Sequence, residues 1–190
     1  MKAKSDQVLR AAYHEAGHAT AAFHFGHFIK GIEIDAFGSG VLTTRIQEPI
    51  CTGEKRFFSK QFTLSKRLEE YAICLFSGRV AEAKYSQCEV MPFEFDSFED
   101  FYDEPPEDDY EAVWHQCILA NSHLGSYAFT NAHFFEWKFQ TQKLFRKPSI
   151  WQGTNELAKN LIFEKTLTGD QVNEILSKHL QPVIGLLKIT

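Results

Sequence analysis

The spacing of apolar residues along the chain predicts a mainly helical protein. Apolar residues recur every three or four positions over most of the sequence, which is typical of amphipathic helices. The periodicity predicts helices at about residues 5–25, 59–85, 107–121, 126–145, 149–164 and 168–180. Residues 28–35 instead alternate, and residues 41–46 form a second β-rich run after the turn Gly38-Ser39-Gly40. We therefore expect a mainly α (α+β) fold with a small β-hairpin or short sheet after the first helix.

Single residues predict where helices begin, end and pack. Ser5 is expected to cap the first helix, and Gly26 to end it. Thr168 is expected to cap the last helix, which should end before Pro182. Gly17 lies inside the first helix, where a glycine costs about 1 kcal/mol relative to alanine. Its presence predicts that another segment approaches the first helix closely at this position.

Composition and charge indicate one globular unit with an unusual acidic segment. The 190 residues are 44% hydrophobic and 24% charged, and no repeat or linker divides them, so a single domain spanning residues 1–190 is expected. Residues 89–111 hold eleven of the 25 acidic residues and no Lys or Arg. We expect residues 88–106 to form a long acidic loop, either solvated or acting as a lid or docking site. The net charge of −5 argues against nucleic-acid binding.

Compartment is indicated by two negative features of the sequence. Its apolar runs are too short to span a bilayer. The four cysteines form no C-x-x-C pair, and no signal peptide is recognisable. A reduced, cytoplasmic setting is the simplest expectation.

One pentapeptide, His-Glu-Ala-Gly-His at residues 14–18, has the H-E-x-x-H pattern. On a helix, His14 and His18 lie on the same face, one turn apart, so both imidazoles can bind one metal ion. Glu15 is rotated by about 100° from His14 and can reach a water bound to that metal. This pattern predicts a zinc site with Glu15 as a catalytic base.

A third protein ligand is expected, since a catalytic zinc ion normally has three and keeps one position open for water. His24 has the spacing found in metzincins, but Ala21 replaces the glycine of that motif. Without that glycine the helix continues and turns His24 away from the site. Glu82 on a later helix, or an acidic residue from 107–111, remains as the third ligand.

Five segments resemble the FtsH family of ATP-dependent zinc proteases, and they occur in the order found in that family. Residues 14–19, His-Glu-Ala-Gly-His-Ala, match its zinc signature, and residues 40–44 look like its strand beside the substrate cleft. Residues 75–82 are similar to its L-x-G-G-R-x-A-E helix, and residues 108–112 to its N-D-L segment. Residues 164–172 are similar to its closing E-K-E-T-L-x-G-E-E-L segment. The resemblance implies an FtsH-type, zincin-like peptidase domain.

Carried over residue by residue, the resemblance implies His14, His18 and Asp109 as zinc ligands, with Glu15 as the base. Asp109 is favoured over Asp108 because an apolar residue follows it, as one follows the family's aspartate. Taking Asp108 as the ligand would instead bring an alanine to the position where the family has one. Glu82 is then left with a structural role or a role beside the ligands. The implied substrate-binding residues are Gly40, Val41, Leu42 and Thr43.

Departures from the family pattern shape the expected function. The sequence shows no AAA ATPase module, no Walker A loop and no transmembrane helix. Ser77 replaces the first glycine of the G-G-R motif, and the acidic stretch replaces the family's Thr-Gly-Ala-Ser. We expect a zinc metalloendopeptidase acting on peptides or unfolded proteins, with a separate ATPase partner or self-assembly into a ring suggested by analogy. The alternative is a catalytically impaired zinc-binding peptidase fold that serves as a peptide- or partner-binding module.

Overall fold

Six helices and one small sheet make up the part of the chain that the computed structural model describes, which confirms the expected mainly helical class. The described residues are 2–36, 40–44, 61–88, 109–124, 129 and 131–182. The elements in order are α1 (Lys2–His24), β1 (Ile29–Ile34), β2 (Gly40–Thr44), α2 (Gln61–Ser86), α3 (Asp109–Leu124), α4 (Asn131–Arg146), α5 (Pro148–Glu164), β3 (Thr166–Thr168) and α6 (Gly169–Ser177). The acidic segment predicted at 88–106 lies, apart from its first residue, outside the described residues.

The sheet has the strand order β2-β1-β3, with both pairings antiparallel. β1 and β2 form the predicted hairpin, in which Ile34 pairs with Gly40. Ile32 and Ile34 are buried and Glu33 is exposed between them, as the alternation predicts. β3 adds a strand that the sequence pattern did not predict. Within the described residues β2 pairs only with β1, so it forms one edge of the sheet.

Gly17 lies where α1 packs against α2, as predicted. A Cβ atom built at Gly17 would overlap the carbonyl oxygen of Ser77 and lie 2.7 Å from the Cβ atom of Ala81. Any larger residue would therefore push the two helices apart. This close approach brings the H-E-x-x-H face of α1 against the middle of α2.

Two apolar clusters flank α2 and hold the surrounding helices. One joins α1, the sheet, α5 and α6 with parts of α2 and α4, and the other joins α2, α3 and α4. In the second cluster the ring of Phe134 contacts Phe76 and Trp114, with centroids 4.7 Å and 6.1 Å apart. Burial of these large rings stabilises the position of α3 on α2. Asp109 is the first residue of α3, so the cluster also places its carboxylate.

Two of the predicted helix ends are confirmed, whereas α4 begins at Asn131 instead of about 126 and α6 ends at Ser177 instead of about 180. Gly26 has φ 73° just after α1 ends at His24. Thr168 caps α6 through a capping box, accepting from the Gln171 backbone N–H while its own N–H donates to the Gln171 side chain at 2.8 Å. The predicted cap at Ser5 is wrong, because α1 already begins at Lys2. Lysine and alanine are good helix formers and extend the first turn.

None of the described helices is both long enough and apolar enough to cross a membrane.

Candidate metal centre

Three side chains that could bind one metal ion meet between α1 and the start of α3. His14 and His18 project from consecutive turns of α1, and Asp109 comes from the first turn of α3. The two Nε2 atoms of the histidines are 3.0 Å apart. The Oδ2 atom of Asp109 lies 3.2 Å from each of them. The predicted residues His14, His18 and Asp109 are therefore brought together as a triad, whereas Asp108 lies outside the described residues.

The histidine rings are oriented by hydrogen bonds on their opposite nitrogens. His18 Nδ1 donates to the backbone carbonyl of Cys74 at 2.8 Å. His14 Nδ1 faces Oε2 of Glu82 at 3.4 Å. Because a carbonyl or carboxylate oxygen only accepts, each Nδ1 carries a proton, which leaves Nε2 as the nitrogen that can bind a metal ion. This arrangement is the usual one for histidines that bind metals.

Glu82 lies behind His14 rather than among the three facing atoms. Its Oε1 atom accepts hydrogen bonds from Arg10, at 2.8 Å from Nε and 2.7 Å from Nη2. Glu82 therefore lies beside the three facing atoms, where the resemblance implied it could support the ligands. Arg10 is not recognisable from the sequence as part of the site. The one indication in the sequence that Arg10 lies near the site is its position four residues before His14, on the same face of α1.

The electrostatics of the triad favour a protonated His14 beside an ionised Asp109 when no metal ion is bound. Burial lowers the pKa of His14, but hydrogen bonds with Asp109 and Glu82 outweigh burial and raise it to about 9. Burial raises the pKa of Asp109, but the charges and hydrogen bonds of His18 and His14 hold it well below its usual range. The hydrogen bond with His14 is also the main cause that lowers the pKa of Glu82. A metal ion must therefore displace a proton from His14 at neutral pH.

Gly78 on α2 leaves room for the two histidine rings. A Cβ atom at this position would overlap His18 Nε2 and lie 2.7 Å from His14 Nε2. From the sequence alone, Gly78 is only the second glycine position of the G-G-R motif. The structure shows that its missing side chain also makes space for the nitrogens of the triad.

Glu15 is buried and lies against the start of β2. A Cβ atom at Gly40 would overlap the Glu15 side chain, with Oε1 only 2.7 Å away. Gly40 thus lets the edge strand approach the predicted base closely. Val41, the next residue, is 54% exposed. Leu42 and Thr43, also predicted to bind substrate, continue the same strand.

A cleft of about 570 Å³ opens beside the triad. Part of its lining comes from one face of α1, including Arg10, His14 and Glu15. Gly40 from β2 and Glu82 from α2 also line it. The predicted base, one predicted ligand and the start of the predicted substrate strand therefore border one cavity.

His24 is not part of the triad, as the sequence analysis expected. α1 continues unbroken to His24, so its ring is carried away from the site and packs against Phe25, with ring centroids 5.2 Å apart. Burial and the nearby Lys147 lower its pKa. The absence of a glycine at Ala21 explains why the helix does not bend there.

No protein-family model matches the chain, and no curated protein sequence matches it significantly. The resemblance to the FtsH family therefore stays a prediction from the motifs.

Proposed function

We propose that this chain is a zinc metalloendopeptidase that hydrolyses peptide bonds in peptides or unfolded proteins. The observation that carries the proposal is the triad His14, His18 and Asp109, with Glu15 adjacent in sequence on the same helix. Two imidazoles and one carboxylate form a common ligand set of catalytic zinc sites, in which the fourth position is left for water.

The distances within the triad support zinc. Donor atoms about 2.0–2.1 Å from a tetrahedral zinc ion are roughly 3.3 Å from one another. The three donor atoms of the triad are 3.0–3.2 Å apart, so only small adjustments are needed. Imidazole nitrogen also favours zinc and similar transition metals over calcium or magnesium, which prefer oxygen ligands.

In the proposed mechanism, each residue of the site has a separate task. A bound zinc ion would supply Lewis-acid chemistry, lowering the pKa of a water and polarising the scissile carbonyl. Glu15 accepts the proton of the attacking water and later donates it to the leaving amine. Burial of Glu15 against Gly40 limits its movement and so favours transfer at a defined position.

The edge strand β2 supports the choice of an extended peptide as substrate. A peptide can add to a free sheet edge through main-chain hydrogen bonds, which tolerate many sequences. Because Gly40 contacts Glu15, a peptide paired along Gly40–Thr44 would pass beside the proposed base. Pairing of this kind requires an unfolded segment. For a folded substrate, a separate ATPase partner or a ring of copies would be needed to deliver an unfolded segment to the site. Both proposals rest on the family resemblance alone.

The test is the substitution Glu15→Gln, assayed by zinc content and by cleavage of unfolded casein. We expect the variant to retain zinc and to lose activity by about 10²–10⁴-fold, which is the usual contribution of a general base. Glu174→Gln, at a side chain of α6 that is 75% exposed, serves as the matched control and should cleave normally. Full activity of Glu15→Gln would refute the assignment. A wild-type protein that binds zinc and peptide without releasing products would instead be the binding module.

A further inference from the structure

We propose that Arg10 is a positioning residue of the metal centre, which holds His14 in its binding orientation by acting through Glu82. The inference rests on the proposed function, because it assumes that the triad binds a metal ion. Arg10 itself contacts none of the three ligand atoms in the described hydrogen bonds and ion pairs. Its effect must therefore be transmitted by the carboxylate between them.

The contacts form a continuous chain from Arg10 to the ligand. Nε and Nη2 of Arg10 both donate to Oε1 of Glu82, at 2.8 Å and 2.7 Å. Both donors meet at this one oxygen, so they anchor Oε1 and leave Oε2 available for a second partner. The second oxygen, Oε2, is then directed at His14 Nδ1, 3.4 Å away.

His14 and His18 differ in what holds them. The acceptor for His18 Nδ1 is the carbonyl of Cys74, which belongs to the backbone of α2 and is fixed by the helix. The acceptor for His14 is the end of a glutamate side chain, which has several rotatable bonds. Arg10 restricts those rotations, so it gives His14 the rigidity that His18 obtains from the backbone. This asymmetry makes His14 the ligand that a distant substitution can disturb.

The charge of Arg10 and its positioning role predict opposite effects on metal affinity. A positive charge near the triad repels a metal cation, so removing it should strengthen metal binding if charge alone matters. If Arg10 orients Glu82, removing it should weaken metal binding, because His14 is then held less well. Arg10 also borders the cleft. Measuring metal affinity without substrate excludes any effect of a direct contact with substrate.

The experiment compares affinities for Zn²⁺ and Co²⁺ by competition with a chromogenic chelator, at one pH and without peptide. We expect Arg10→Met to bind about tenfold more weakly and Glu82→Gln about 10–100-fold more weakly. The double variant should bind no more weakly than Glu82→Gln alone, since both substitutions break one pathway. Arg10→Lys should recover part of the loss, and the visible absorption of bound Co²⁺ should change in Arg10→Met.

Arg146→Met, an exposed arginine at the end of α4, is the matched control and should bind like the wild type. Far-UV circular dichroism of the metal-free variants checks that each is folded. Unchanged or tighter binding by Arg10→Met would overturn the proposal, as would additive losses in the double variant. A wild-type protein that binds neither metal would refute the proposed function itself, which is a distinguishable result.

Discussion

Replacing Gly78 with alanine should separate metal binding from the stability of α2. The added Cβ atom would overlap His18 Nε2 and lie 2.7 Å from His14 Nε2. Favourable separations between nonbonded heavy atoms are about 3.5–4.0 Å, so both rings must move by roughly 1 Å. Metal–ligand distances tolerate only about 0.2 Å. A shift of this size removes both nitrogens from coordinating positions.

Losing a residue that hydrogen-bonds to a metal ligand weakens metal binding by at most about 100-fold. We expect Gly78→Ala to weaken zinc binding more than this, because the substitution displaces the ligands themselves. Stability should change little. In a helix interior, alanine is more favourable than glycine by about 1 kcal/mol of folding free energy. This gain offsets the loss of histidine hydrogen bonds, which contribute a similar free energy, when the rings rotate. The metal-free variant should therefore have a free energy of unfolding within about 1 kcal/mol of the wild type.

The assay is chelator competition for zinc affinity, combined with denaturant unfolding of the metal-free protein. Gly153→Ala is the matched control, a buried helical glycine on α5. A Cβ atom there would lie 3.3 Å from the Cδ2 atom of Leu176, which can move slightly. This control should keep wild-type zinc affinity. Wild-type affinity in Gly78→Ala would show that the described geometry is not the metal-binding geometry.

Three further predictions concern pH, a buried hydroxyl and a helix cap. Because the pKa of His14 is raised to about 9 without metal, zinc affinity should rise by up to tenfold per pH unit as the pH increases towards about 9 and level off above; a flat profile would contradict a protonated His14. Tyr13→Phe removes a hydrogen bond of 2.5 Å to Asn155 and should lower the free energy of unfolding by about 1 kcal/mol, measured by urea titration, while zinc affinity is retained. Thr168→Ala removes the cap of α6 and should also cost about 1 kcal/mol of stability; an unchanged midpoint at an unchanged denaturant slope would argue against the cap.

Local geometry explains which parts of the site were predictable from the sequence. Helix geometry places His14 and His18 on one face independently of the rest of the fold, so their spacing was enough to predict a pair of metal-binding histidines. The close approach at Gly17 was predictable for a similar reason, since an interior helical glycine is unfavourable without one. The periodicity of the sequence does not decide whether Glu82 or an acidic residue of 107–111 is the third ligand. The aromatic packing of α3 on α2, which places Asp109, is a long-range feature.

Features that depend on distant partners were missed. β3 has only three residues, too few for an alternating pattern, and it exists through its pairing with β1. Arg10 looked like an ordinary helical surface residue, because its partner Glu82 is 72 positions away. The role of Gly78 in making room for the histidines also depends on the crossing of two helices.

An anomalous-scattering map collected at the zinc edge, from crystals of the protein grown with zinc, would show directly whether His14, His18 and Asp109 bind the metal ion. We expect a single strong peak within coordinating distance of His14 Nε2, His18 Nε2 and Asp109 Oδ2. No peak between these side chains, or a peak whose third protein ligand is Glu82, would contradict it.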